Sequence, residues 1–144
     1  MSRYCLLNRL TLSNISISIA LLTLSTFSQA DCHQDNTQVI TEYIDRMAVT
    51  SDIQNREPVD ALCESNNSAL YFFTDLRQLK GKTIRHQWIH EDLVESEKVF
   101  EVGGDRWRVW SKKALDESVE GLWILAVLDE DNNLLAVKRF KYSP

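Results

Sequence analysis

The segment RWRVWSKK, Arg106 to Lys113, alternates basic and aromatic side chains. Surfaces that grip sugars, phosphates or nucleic acid are often built this way. The same alternation describes an ordinary strand with one face buried and one solvated. His86 and His90 stand four apart, the spacing of a metal pair on a helix; on a strand they would lie about 13 Å apart, too far to share one ion. Asp129, Asp131 and Asn133 alternate like calcium ligands, but Leu134 and Phe140 occupy the places where a calcium loop needs Gly and Glu. Ser111 beside Lys112 suggests a dyad, yet the lysine sits in a charged, solvated stretch that would keep its proton. No Gly-x-Ser-x-Gly, His-Glu-x-x-His or phosphate-binding glycine loop occurs.

The elements that must position these residues read as strands. Runs of β-formers cover 69–74, 83–90, 93–102, 106–111, 122–128 and 134–142, separated by turn residues, with an earlier strand expected near Met47–Thr50. This predicts an all-β fold: a compact, immunoglobulin-like antiparallel sandwich of six to seven strands with a short N-terminal arm. The strand 122–128 is apolar on both faces and should be central. Gly103-Gly104 reads as the tip of a hairpin. Counting outward, Phe100 would face Trp107 and Glu101 would face Arg106, with Arg108 diagonal to Glu97 and Glu101. In that register the arginines are neutralised by their own sheet. Trp107 and Val109 then belong to the core, and Trp110 is left on the outer face with Arg106 and Arg108.

The ends of the chain bound its class. Arg3 and Arg9, an apolar run from Ile15 to Leu24 and Ser28-Gln29-Ala30 form a secretory signal-peptide pattern over 1–30. The apolar run is too short for a retained membrane span. Cleavage after Ala30 leaves 114 of the 144 residues: an arm over 31–43 and one domain over 44–144. The 16 basic residues fall to 14 against 21 acidic ones, a net charge of −7, which disfavours nucleic acid as a partner. The cut also removes Cys5, leaving Cys32 and Cys63, an even pair that an exported protein would oxidise to one disulfide.

Six phrases occur in order: NREPVD at 55–60, YFFTDL at 71–76, IRHQW at 84–88, EVGGDRWRVWSKK at 101–113, GLWILAVLDE at 121–130 and LLAVKRF at 134–140. Together they resemble a bacterial family of domains of unknown function, the one numbered 2914, over about residues 44–142. The resemblance implies a compact β-sandwich of a cell-envelope protein and brings no catalytic residues. Glu91-Asp92 and Asn132-Asn133 depart from its pattern, since glycine-containing turns are usual there.

The reading that follows is a non-catalytic module, periplasmic or secreted, that needs no cofactor or metal. It would bind an envelope protein or a surface polysaccharide. The candidate ligand-binding residues are Trp110, Arg108, Arg106 and His86. In a carbohydrate-binding module, Trp110 would stack on a sugar beside Arg108 or Tyr71. In an envelope hydrolase, His86 would need a carboxylate and a pocket.

Overall fold

The computed structural model describes residues 37–39 and 41–144. The expected signal peptide and Cys32 lie outside them. In chain order the strands are β1 (Thr37–Val39), β2 (Ile44–Thr50), β3 (Ile53–Gln54), β4 (Glu57–Pro58), β5 (Glu64–Ser65), β6 (Ala69–Arg77), β7 (Thr83–His90), β8 (Leu93–Glu101), β9 (Arg106–Ala114), β10 (Gly121–Leu128) and β11 (Leu134–Tyr142). Seven of these have seven or more residues, matching the expected sandwich; the rest are short edge or hairpin pieces. A 3₁₀ turn, Glu117–Val119, precedes β10, with the Asp116 side chain accepting from the Ser118 amide.

Two sheets form the layers. The larger has the order β1-β11-β10-β7-β8, with β5 also pairing β11; the smaller is β2-β6-β9, and β3-β4 is a separate hairpin. Strand β10 is central, as its two apolar faces require. The alternation along β7 fixes the inner face: Ile84, His86, Trp88 and His90 are buried, while the residues between them are only partly so. Trp123, Leu125 and Val127 of β10 continue that row, and Phe140 and Tyr142 of β11 complete it. The small sheet answers with Met47 and Val49, with Leu70, Phe72 and Leu76, and with Val109. Trp88 meets Phe72, Trp123 and Phe140 edge-on, with ring centroids 6.1–6.4 Å apart, the favoured geometry for aromatic pairs.

A polar tie also crosses the core. The Trp88 indole N–H donates to Ser111 Oγ at 2.9 Å. The His86 ring lies 3.1 Å from the same hydroxyl through Nδ1 and 2.9 Å from Thr74 Oγ1 through Nε2. Two strands of the small sheet are thereby bonded to one strand of the large sheet.

The hairpin expected at Gly103-Gly104 is not formed. β8 pairs β7 at one edge of the large sheet, whereas β9 pairs β6 in the small sheet, so residues 102–105 carry the chain from one layer to the other. Gly103 serves close packing rather than positive φ. A Cβ on Gly103 would lie 2.9 Å from the Trp107 ring, while one on Gly104 would have ordinary contacts near 3.6 Å.

Candidate functional site

β9 lies at the edge of the small sheet, so its outward row, Arg106, Arg108, Trp110 and Lys112, is bordered on one side only. Opposite these residues stand Arg77, Asp75, Phe73 and Tyr71 of β6. Beyond them, β2 sets Arg46 opposite Asp75 and Ala48 opposite Phe73. The β3-β4 hairpin folds onto this face and brings Glu57.

Asp75 is the centre of the arrangement. Its side chain is completely covered although it points to the outer side of the sheet. Arg106 donates from Nη2 at 2.6 Å and from Nε at 3.1 Å to both oxygens. Arg108 Nε and Arg46 Nη2 each lie 3.5 Å from Oδ2. Burial alone would push the Asp75 carboxyl up; the hydrogen bonds and charges of Arg106 and Arg108 outweigh it and hold the group below the usual carboxylate range. Glu57 sits above, taking Arg46 Nη2 at 2.5 Å on one oxygen and Arg108 Nη1 at 3.0 Å on the other. The hydrogen bond from Arg46 holds its carboxyl low as well.

Aromatic rings flank the cluster. The Arg46 guanidinium lies 5.3 Å from the Phe73 ring centre, and Lys112 Nζ lies 5.3 Å from that of Tyr71. Arg56, from the turn of the β3-β4 hairpin, lies 5.5 Å from the Trp107 ring. Trp110 is half-buried between Arg108 and Lys112. A cleft of about 220 Å³ opens where Arg56, Arg106, Trp107 and Arg108 converge.

Three of the four residues singled out from sequence, Arg106, Arg108 and Trp110, therefore share one face. Their ion partners differ from the expected ones: Glu97 and Glu101 lie on β8 in the other sheet, where Glu97 takes a 2.7 Å hydrogen bond from Gln87 Nε2. His86 is not part of this face. It is fully buried between Phe72 and Phe100, at ring-centre distances of 4.4 and 4.8 Å, and burial lowers its pKa to about 3. Its polar neighbours are two hydroxyls and no carboxylate, so it cannot meet a surface ligand or complete a hydrolytic pair in this arrangement. Ser111 points inward to His86 and Trp88 while Lys112 points outward, which separates the imagined dyad.

Arg46, Arg56, Glu57 and Asp75 escaped the sequence reading. A signal existed for one of them: Asp75 interrupts the apolar run YFFTDL, and a carboxylate there must be paired. Asp129 Oδ1 accepts the Asp131 and Asn133 amides at 2.9 and 2.8 Å, so that carboxylate closes its own turn. Among the described residues no three His, Cys, Asp or Glu side chains are grouped to hold a metal, and no helix is long and apolar enough to cross a membrane.

No curated protein matches the chain. Residues 81–142, which run from the turn before β7 through β11 and include Arg106, Trp107, Arg108 and Trp110, match the family described as Protein of unknown function (DUF2914).

Proposed function

We propose that the chain is an exported, non-catalytic binding module of the cell envelope, and that it engages its partner through the outer face of the small sheet. The observation that carries this reading is the half-buried Trp110 set between Arg108 and Lys112, beside guanidinium groups already fixed by Asp75 and Glu57. Side chains held in place before binding lose less entropy on binding. Of the two partner classes, a surface polysaccharide suits this face better than a protein. It asks for an aromatic platform and a few oriented polar donors, not a broad apolar core. Export and the Cys32–Cys63 disulfide belong to the same reading. They are supported by the leader pattern and by Cys63 being a disulfide cysteine in a chain with only three cysteines.

The test is a tryptophan-fluorescence titration of the exported protein with peptidoglycan and polysaccharide fragments. The expected result is a saturable change that Trp110→Ala abolishes without lowering Tm by more than a few degrees. A flat titration across the panel, or a response unaltered by Trp110→Ala, overturns the assignment. A thiol assay without reductant should find none in the mature protein.

A further inference from the structure

Four guanidinium groups, from Arg46, Arg56, Arg106 and Arg108, gather around two carboxylates, Glu57 and Asp75. The cluster keeps a surplus of two positive charges in a chain whose net charge is −5. Both carboxylates are already taken up by arginines, and neither lines the cleft. A guanidinium has five N–H donors. Among the described residues, Arg106 Nη1 and Arg108 Nη2 have no partner, and Arg56 has only the Trp107 ring.

The position of Arg56 is itself unusual. Gln54 pairs with Glu57, so Asn55 and Arg56 form a two-residue turn, and their φ angles are +50° and +63°. Both central residues of such a turn must adopt positive φ, and the second is ordinarily glycine. An arginine there is strained, as Asp92 is at the same place in the β7-β8 turn. Strain of this kind concentrates where function requires a particular side chain. Here it delivers a guanidinium to the wall of a cleft whose other sides are Arg106, Arg108 and Trp107.

We propose that the cleft between Arg56, Arg106, Trp107 and Arg108 binds the acidic group of a single sugar unit, a carboxylate or a phosphate ester. Oxyanions of both kinds match the planar, two-pronged donor geometry of arginine. A space of about 220 Å³ is large enough for one sugar ring with its charged group. Trp107 supplies the apolar wall against which the ring's C–H face rests. The inference rests on the polysaccharide reading of this face and adds that the recognised polymer is acidic.

The experiment is an NMR titration of the exported protein at low salt with glucuronate, glucose 6-phosphate and glucose. Inorganic phosphate serves as a small-anion control. At least one acidic sugar should shift the Arg56 and Trp107 signals and bind at least about tenfold more tightly than glucose, the loss expected for a missing charged hydrogen bond. Response to glucuronate alone identifies a carboxylated unit; response to glucose 6-phosphate alone identifies a phosphorylated one. Arg56→Gly should abolish this preference and raise Tm, because it restores the favoured turn residue; a folding defect would lower Tm instead. Equal binding of glucose and the acidic sugars, or an unchanged preference in Arg56→Gly, overturns the proposal. If neutral polysaccharide fragments still bind through Trp110, only the acidic specificity fails. If no sugar or fragment binds, the reading of the whole face fails with it.

Discussion

Lowering the pH should destabilise the protein through His86 before the carboxylates are protonated. The imidazole is fully buried between two phenylalanines, with hydrogen bonds only to Thr74 and Ser111. A neutral ring donates from one nitrogen and accepts at the other, and the two hydroxyls satisfy both. A protonated ring would donate twice, turning away the Ser111 O–H in a place with no carboxylate to offset the charge. Burial therefore lowers the pKa from 6.5 to about 3. The folded state binds this proton less readily than the unfolded state. The stabilisation is thus complete above about pH 6.5 and is lost as pH falls towards 3. The slope is roughly 1.4 kcal/mol per pH unit, for a total of roughly 4–5 kcal/mol across the window. The assay is urea unfolding at intervals from pH 7 to 4.5, in the native sequence and in His86→Gln. Carboxylates contribute equally to both proteins, so the difference in slope isolates one proton. Parallel slopes would refute the buried, neutral imidazole.

Four other outcomes follow from the packing. Asp75→Asn leaves three guanidinium groups around a neutral amide. Unfolding should show a loss of about 2–4 kcal/mol, less than for a fully buried pair because the arginine ends remain partly in water. Gly103→Ala forces the Trp107 ring aside and should cost about 1–2 kcal/mol with a shift in Trp107 emission, whereas Gly104→Ala should be nearly silent. Glu91 and Asp92 hold φ of +49° and +64° in the β7-β8 turn, so the double substitution Glu91→Asn with Asp92→Gly should add about 1 kcal/mol of stability, read as a rise in Tm. Iodide should quench Trp107 and Trp110 and spare Trp88 and Trp123, as single-tryptophan variants would report.

The strands were legible because their signals are local. Alternation along 83–90 and glycine or asparagine at the breaks place β7, β10 and β11 within a residue or two. The departures at Glu91-Asp92 changed no pairing: the turn keeps its two-residue form and carries the strain in residues that avoid positive φ. What sequence could not show is which strand lies beside which. Phe100 opposite Trp107 and Glu101 opposite Arg106 are chemically sensible pairs, and local complementarity cannot tell a hairpin from a crossover between layers. Whether His86 could reach a ligand was hidden for a related reason. Its parity with Ile84 and Trp88 put it on one face of β7, but only the facing sheet, with Phe72, Thr74 and Ser111, shows that face to be sealed.

The crossover at 102–105 also explains the charge of the arginine face. A hairpin would have set Glu97 and Glu101 beside Arg106 and Arg108 and balanced them residue for residue. By passing to the other layer, the chain puts those glutamates in the large sheet, Glu97 beside Gln87 and Arg85. It leaves β9 to find its counter-charges on β6 and on the β3-β4 hairpin. Those elements supply Asp75 and Glu57, but the hairpin also brings Arg56, and β2, beyond β6, brings Arg46. The face consequently keeps unspent guanidinium donors next to Trp107 and Trp110 in an otherwise acidic protein. In RWRVWSKK the alternation sets Trp107 and Val109 toward the core and Arg106 and Arg108 on the outer face, where their donors are the ground for the ligand site we propose.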